Sequence, residues 1–158
     1  AVANNGDLLS VYPRTGNGNV PPIRTFSGSN TGFNGGPRGI ALEPLRDVYV
    51  VTTPFFGANF EPAVLRFDRI PGGNVLPTGA WGGSTSGMAS PNGIDLDIGS
   101  GEIMVANSIG NSVTVYSQFQ TGAITPQRII SGPSTLLNNP QFIVVLPGPL
   151  FADGFDPP

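Results

Sequence analysis

One pattern recurs three times along this chain of 158 residues, at a spacing of about 50 residues. Its most visible positions are the aromatic residues Tyr12, Phe67 and Tyr116, which are separated by 55 and 49 residues. A period of this length is typical of stacked supersecondary units, in which each copy covers the apolar face of its neighbour. We therefore expect a single repeat domain over residues 1–158.

Each copy of the repeat contains short runs of β-branched and aromatic residues bounded by Gly, Pro, Asn or Asp. Four such runs predict four strands of an antiparallel meander. Residues 39–83 and 93–132 each contain all four strands, residues 1–28 lack the first strand, and residues 142–153 contain only the first two. The predicted fold is all-β and β-propeller-like. It has three four-stranded blade equivalents, circularly permuted so that one is split between the termini.

The composition agrees with short strands and many turns. The chain contains 23 Gly and 17 Pro, which disfavour long helices. Clusters of Val, Ile, Leu, Phe and Tyr recur between them, and a disordered chain would lack such clusters. A folded, turn-rich domain follows.

The last complete copy carries a resemblance to a known repeat. It reads Gly-Ile-Asp-Leu-Asp at 93–97, Gly-Glu-Ile-Met-Val-Ala-Asn at 101–107 and Asn-Ser-Val-Thr-Val-Tyr at 111–116. This order resembles the NHL-type β-propeller repeat, and the likeness covers nearly the whole chain. The resemblance implies propeller blades, but not one activity, because related blades serve as lactonases, other hydrolases, binding platforms and scaffolds.

The number of strands raises a problem of closure. Closed propellers have about four to eight blades, so three cannot encircle an axis and an unpaired sheet edge remains. We expect the C-terminal strands of one chain to complete the N-terminal sheet of another. If the rotation that relates one chain to the next closes, the assembly is a six-bladed two-fold dimer, and if it does not close, the assembly is a filament. The third alternative is that the chain is a fragment of a longer propeller. The residues predicted to form this assembly interface are Val2, Ala3, Asn4, Phe142, Val144, Leu150, Phe151 and Phe155.

Several residue types are missing, which narrows the chemistry. The chain has no His, no Cys and no Lys, which excludes imidazole catalysis, Cys/His zinc sites and Lys Schiff bases. A net charge of −3 gives nucleic acid no basic surface to bind. The longest apolar stretch, residues 142–146, is far shorter than the roughly 20 residues of a membrane-spanning helix. We predict no nucleic-acid partner and no transmembrane segment.

The loop predicted at residues 52–62 is longer than its counterparts and contains Phe55, Phe56 and Phe60. Exposed aromatic residues of this kind favour a partner-binding surface. The alternative is that they pack on their own sheet as a small core. The sequence leaves both interpretations open.

Acidic residues offer one further candidate site. Residues 95–102 have the oxygen density of a calcium loop but not the EF-hand ligand pattern, and their Gly-Ser-Gly centre suits a hairpin. Propeller hydrolases have acidic and amide ligands on their inner strands. The corresponding positions here are Ala41, Asp95 and Val144, of which only Asp95 is a carboxylate. We therefore predict no catalytic residues and no cofactor, with calcium as the alternative.

The function predicted from the sequence is a non-enzymatic structural protein whose partner is itself. The alternative is a six-bladed dimer that acts as a ligand-binding module or lactonase-like hydrolase. An amino-terminal Ala-Val-Ala is what removal of an export signal would leave, and residues 150–156 resemble a C-terminal signature of exported bacterial proteins. We expect a secreted or extracellular protein, with the periplasm or a trimmed chain as alternatives.

Overall fold

The computed structural model describes residues 1–146, and these residues form an all-β fold of three sheets. The first sheet contains β1 (Val2–Asn4), β2 (Leu8–Val11) and β3 (Arg24–Ser27). The second contains β4 (Ile40–Glu43), β5 (Val48–Phe56), β6 (Glu61–Asp68) and β7 (Gly79–Gly82). The third contains β8 (Pro91–Asp97), β9 (Glu102–Asn107), β10 (Ser112–Ser117) and β12 (Arg128–Ser131).

Neighbouring strands of each meander are antiparallel. One further short strand, β11 (Gly122–Ala123), comes from the connection between β10 and β12 and pairs in parallel with β7 of the second sheet. Short 3₁₀ turns follow β3 at Ser29–Thr31 and β12 at Pro133–Thr135. The all-β prediction is confirmed, with sheets of three, five and four strands. None of the helices within residues 1–146 is both long and apolar enough to cross a membrane.

The sheets pack face to face, because alternate residues of each strand point to opposite sides. At the first interface, between the first and second sheets, Phe26 packs edge-on against Tyr49 with ring centroids 5.9 Å apart. The buried residues of this interface are Leu9, Val11, Phe26, Phe33, Tyr49, Val51, Ala63, Leu65 and Phe67. The buried residues of the second interface, between the second and third sheets, are Val48, Val50, Val64, Trp81, Met88, Ile94, Leu96, Ile103, Val105, Tyr116 and Ile124.

The second interface also contains a buried ion pair. Glu43 at the end of β4 is almost fully buried, and its carboxylate lies 3.6 Å from Nε of Arg66 on β6. The Arg66 guanidinium also donates a hydrogen bond of 2.5 Å to the carbonyl of Gln118 and stacks over Trp81. Burial lowers the pKa of Arg66, and the attraction of Glu43 opposes this effect.

Two segments differ from the expectation. Residues 52–62 are mostly strand, because β5 and β6 extend past a bulge between Thr53 and Phe56 and leave only a short turn between them. Residues 141–146 contain no strand, although the sequence predicts one from Phe142. The segment lies beside β8, but within the described residues no strand pairs with it through backbone hydrogen bonds, and a β-strand requires such a neighbour. The remainder of the predicted segment, residues 147–153, lies outside the described residues.

Candidate assembly surfaces

The two interfaces inside the molecule repeat one arrangement. Leu9 opposite Phe26 in the first sheet corresponds to Val64 opposite Trp81 in the second and to Val113 opposite Ile130 in the third. The first two pairs lie buried against the next sheet along the chain. The first two sheets therefore use the same positions to contact their successors.

The third sheet has no successor within the described residues, and its outer strand is open. Phe26 is 1% exposed, whereas Ile130 at the corresponding position is 48% exposed. All four residues of β12 are exposed, while Val113 and Val115 on β10 remain buried. We call β12 and its exposed side chains the open face of the third sheet.

The first sheet has the complementary opening. The positions that receive the preceding sheet are Tyr49, Val51 and Phe67 in the second sheet and Ile103, Val105 and Tyr116 in the third. Their counterparts in the first sheet include Val2 and Tyr12, which are exposed; Tyr12 is 41% exposed, whereas Phe67 and Tyr116 are buried. We call Val2 and Tyr12 the open face of the first sheet.

The first sheet also has an open inner edge. In the third sheet, β8 pairs with β9 so that Pro91 lies opposite Asn107 and Ile94 opposite Val105. In the second sheet, β4 pairs with β5 in the corresponding way. The first sheet has the order β1-β2-β3, so among residues 1–146 nothing pairs with the inner edge of β1. Unpaired strand edges are templates for another chain.

The residues that would cover an inner strand of the first sheet are correspondingly exposed. Leu96 of β8 is 8% exposed, whereas Leu42 of β4 is 46% exposed. A cavity of about 580 Å³ lies between β4 and the beginning of the chain, and Ala1, Tyr12, Ile40 and Leu42 contribute to its lining. Three arginines, Arg14, Arg24 and Arg69, also contribute to the lining. The groove has the place of a missing inner strand.

The C-terminal segment, Gln141–Leu146, already occupies the position of an inner strand beside the third sheet. Val145 N–H donates a hydrogen bond of 2.7 Å to the Asp95 carboxylate, and Asn92 donates one of 2.7 Å to the side chain of Gln141. A Cβ on Gly93 would lie 2.7 Å from Cα of Phe142, so only glycine permits this approach. A Cβ on Gly39, just before β4, would likewise clash with the carbonyl oxygen of Asn92 and lie 3.0 Å from the backbone nitrogen of Ile94 in β8.

The structure brings part of the predicted interface together. Val2 and Ala3 line a second cavity, of about 310 Å³, with Phe142 and Ile143. Phe142 and Val144 are exposed, and Asn4 is half-buried. The remaining predicted residues, Leu150, Phe151 and Phe155, lie outside the described residues.

The aromatic residues of the β5–β6 hairpin divide between the two interpretations. Phe56 packs against the buried residues of the first interface. Phe55 and Phe60 are exposed. The hairpin therefore contributes one side chain to the core and presents two to solvent.

The acidic candidates make local hydrogen bonds. Asp97 accepts hydrogen bonds from the backbone of Gly99 and from the backbone and hydroxyl of Ser100. The Ser100 hydroxyl is the main cause of a lowered Asp97 pKa. Asp95 accepts from Leu96 N–H as well as from Val145 N–H. Among residues 1–146 there is no group of three or more acidic side chains that could hold a metal ion.

One correspondence that the sequence shows is repeated in the hydrogen bonds of the structure. The tripeptide Val2-Ala3-Asn4 recurs as Val105-Ala106-Asn107. The Asn4 side chain donates to Val2 carbonyl and to the Ser10 hydroxyl, and the Asn107 side chain donates to Val105 carbonyl and to the Thr114 hydroxyl. The asparagine is thus part of the repeat.

Comparison with known proteins adds no assignment to these surfaces. No protein-family model matches the chain, and no curated protein matches it.

Proposed function

We propose that this chain is a non-enzymatic structural protein that assembles with copies of itself by sheet completion. The three sheets are blades of an incomplete propeller of the NHL type. The open face of the third sheet in one copy receives the open face of the first sheet in the next. The contact is head to tail, so it closes after two copies or continues as a filament. We place the assembly outside the cell on the resemblance of residues 150–156 to exported bacterial proteins.

The observation that carries this proposal is the correspondence between the open faces and the buried interfaces. Ile130 corresponds to Phe26 and Trp81, which are buried against the next sheet. Tyr12 corresponds to Phe67 and Tyr116, which are buried against the preceding one. A second copy placed in the same relation would bury both exposed side chains, and burial of apolar surface is the main favourable term in association.

The inner strands support the same arrangement. The C-terminal segment lies beside β8 as β8 lies beside β4, and it has no strand partner within residues 1–146. The strand β1 has no inner partner there. Docking the first sheet of a second copy on the third sheet would bring these two unpaired backbones together, so that each supplies hydrogen bonds to the other.

The lactonase-like alternative has no comparable support in the described residues. Asp95, the one carboxylate among the corresponding inner-strand positions 41, 95 and 144, is occupied by hydrogen bonds from Leu96 and Val145.

Complementary variants test the head-to-tail contact. Tyr12→Asp places a charge on the open face of the first sheet, and Ile130→Asp places one on the open face of the third. Each variant alone should be monomeric by size-exclusion chromatography with light scattering. An equimolar mixture should form one-to-one dimers, because it restores a single junction between two intact faces. Leu45→Asp is the matched control, since Leu45 is exposed in the turn between β4 and β5 and belongs to neither open face.

The result is decisive in both directions. A wild-type chain that remains monomeric at high concentration overturns the proposal, as does a mixture that stays monomeric. Electron microscopy of the wild-type assembly then distinguishes a closed ring from a filament. A chain lacking residues 142–158 should no longer assemble, because it loses the inner strand that it contributes to its neighbour.

A further inference from the structure

The hydrogen bonds of Asn107 show how an inner strand is held in register. Its amide nitrogen donates to the Val105 carbonyl at 3.3 Å and to the Thr114 hydroxyl at 3.0 Å. Its Oδ1 accepts the backbone N–H of Ala89 at 3.2 Å, from the chain that leads into β8. Asn107 is fully buried, so all these bonds are protected from water. The side chain links β9 and β10 to the segment that leads into β8.

Asn4 makes the first half of this arrangement. Its amide nitrogen donates to the Val2 carbonyl at 3.3 Å and to the Ser10 hydroxyl at 3.2 Å. Its Oδ1 accepts no hydrogen bond within residues 1–146. The difference arises because no chain leads into an inner strand of the first sheet there.

The missing donor can be located by correspondence. Pro91-Asn92-Gly93-Ile94 in β8 matches Pro140-Gln141-Phe142-Ile143 in the C-terminal segment, an offset of 49 residues. Ala89 then corresponds to Asn138, whose backbone N–H donates no hydrogen bond within the described residues. The following residues, Ser90 and Asn139, both have positive φ values, of 55° and 51°. The backbone therefore turns in the same way before both segments.

We propose that Asn4 fixes the register of sheet completion: its Oδ1 accepts the backbone N–H of Asn138 from a second copy, which places Val2 opposite Ile143. This inference rests on the proposed self-assembly and adds the partner segment and its alignment. Register needs such a device because a slip of two residues keeps the same side chains on the same face of a strand.

The second sheet shows that the device is not required for every strand pair. Thr53 holds the corresponding position there, and its hydroxyl donates to the Phe55 carbonyl. In that sheet β4 and β5 are joined by a short turn, which sets their register without the asparagine. Between two chains no such turn exists, so a side-chain contact contributes more to setting the register of the strand pair.

Single-cysteine variants test the alignment, because the natural chain has no cysteine. The Val2→Cys chain is mixed with the Ile143→Cys chain, which tests the proposed alignment. In two further mixtures it is combined with Gln141→Cys or Val145→Cys, which test alignments slipped by two residues. Each mixture is then oxidised. A chain with one cysteine cannot cross-link to itself, so a disulfide between different variants reports contact between copies. We expect the Val2–Ile143 pair to give about five times more heterodimer than either slipped pair, the factor that one ordinary hydrogen bond provides.

Adding Asn4→Ala to the Val2→Cys chain should reduce this preference toward equality, while Asn4→Asp, which keeps the acceptor oxygen, should retain more of it. Equal cross-linking at all three positions with Asn4 intact would overturn the register inference. If the mixture of Tyr12→Asp and Ile130→Asp chains still forms dimers in that case, self-assembly stands and only the alignment is wrong. If neither association nor cross-linking occurs, the proposed function fails.

Discussion

Phe26 and Ile130 occupy the same position in their sheets, yet Phe26 is 1% exposed and Ile130 is 48% exposed. Both lie on the outer strand opposite an aliphatic residue, Leu9 or Val113. The difference arises from the neighbour, because the second sheet covers Phe26 and no described sheet covers Ile130. The comparison shows that a closed junction and an open junction can be made from equivalent strands.

The largest expected effect compares these two positions directly. Phe26→Ala should lower the free energy of unfolding by about 3 to 5 kcal/mol, because it leaves a cavity in the first interface. Ile130→Ala should lower it by less than about 1 kcal/mol in the monomer, since half of the side chain already contacts solvent. Chemical denaturation at concentrations too low for association measures both values. Similar losses would mean that the third sheet is covered after all.

The two closed junctions also differ at one corresponding position, where the second has a tyrosine and the first a phenylalanine. Tyr116 at the second interface is fully buried, and burial raises its pKa to about 12. Phe67 corresponds to it at the first interface and has no ionisable group. In the unfolded chain a tyrosine loses its proton near pH 10. Between about pH 10 and 12 the unfolded state therefore binds fewer protons than the folded state, so stability should fall as pH rises.

The expected loss over this window is about 2 kcal/mol, measured by denaturation at a series of alkaline pH values. Tyr116→Phe is the control, and it should remove most of the alkaline slope. A slope of the same size in that variant would assign the loss to other groups. The wild-type protein should keep its full stability from this source below about pH 10.

A third comparison uses the glycines that allow close approach of inner strands. Gly39→Ala would force its Cβ against β8 inside the molecule, and we expect a loss of about 1 to 3 kcal/mol in the free energy of unfolding. Gly93→Ala would force its Cβ against Phe142 of the C-terminal segment, which no strand holds. It should displace that segment at a smaller cost in stability and weaken self-association.

Denaturation measures the first effect, and light scattering across a dilution series measures the second. If Gly93→Ala lowers the free energy of unfolding as much as Gly39→Ala does, the C-terminal segment belongs to the core of the monomer. Unchanged association of Gly93→Ala would show that the position of this segment does not matter for assembly.

The sequence predicted the strands well because the repeat supplies three independent views of each one. It did not predict the extension of β5 and β6 into residues 52–62, because Pro54 and Gly57 are signals for a loop. It also missed β11, two residues long and paired with a distant sheet. The ion pair of Glu43 and Arg66 has no counterpart in the other copies, so a method based on repetition could not find it.

The open edges were located in the sequence in part for the same reason. A count of strands located the open edge at Val2–Asn4 and the unpaired segment from Phe142. It did not predict that the side chains of Ile130 and Tyr12 are exposed, because exposure depends on whether a neighbouring sheet is present and not on the residue itself. The role proposed for Asn4 rests on the hydrogen bonds of Asn107 as a reference, which the sequence does not show.

The smallest expected effect concerns the turn that precedes the third strand of each repeat. Asp7, Phe60 and Asn111 hold this position with positive φ values of 52°, 54° and 45°. Asp and Asn tolerate the left-handed conformation, whereas a bulky residue is strained there. Phe60 is exposed, so little packing opposes its replacement. Phe60→Asn should therefore raise the free energy of unfolding by about 0.5 to 1 kcal/mol.

Phe55→Asn is the matched control, because Phe55 is exposed in the same hairpin without a positive φ. It should leave stability unchanged or lower it slightly, and comparison of the two denaturation midpoints isolates the backbone effect. If Phe60→Asn is destabilising, the Phe60 ring makes a contact that outweighs the strain. That result would favour the interpretation in which the aromatic residues of this hairpin pack on their own sheet as a small core.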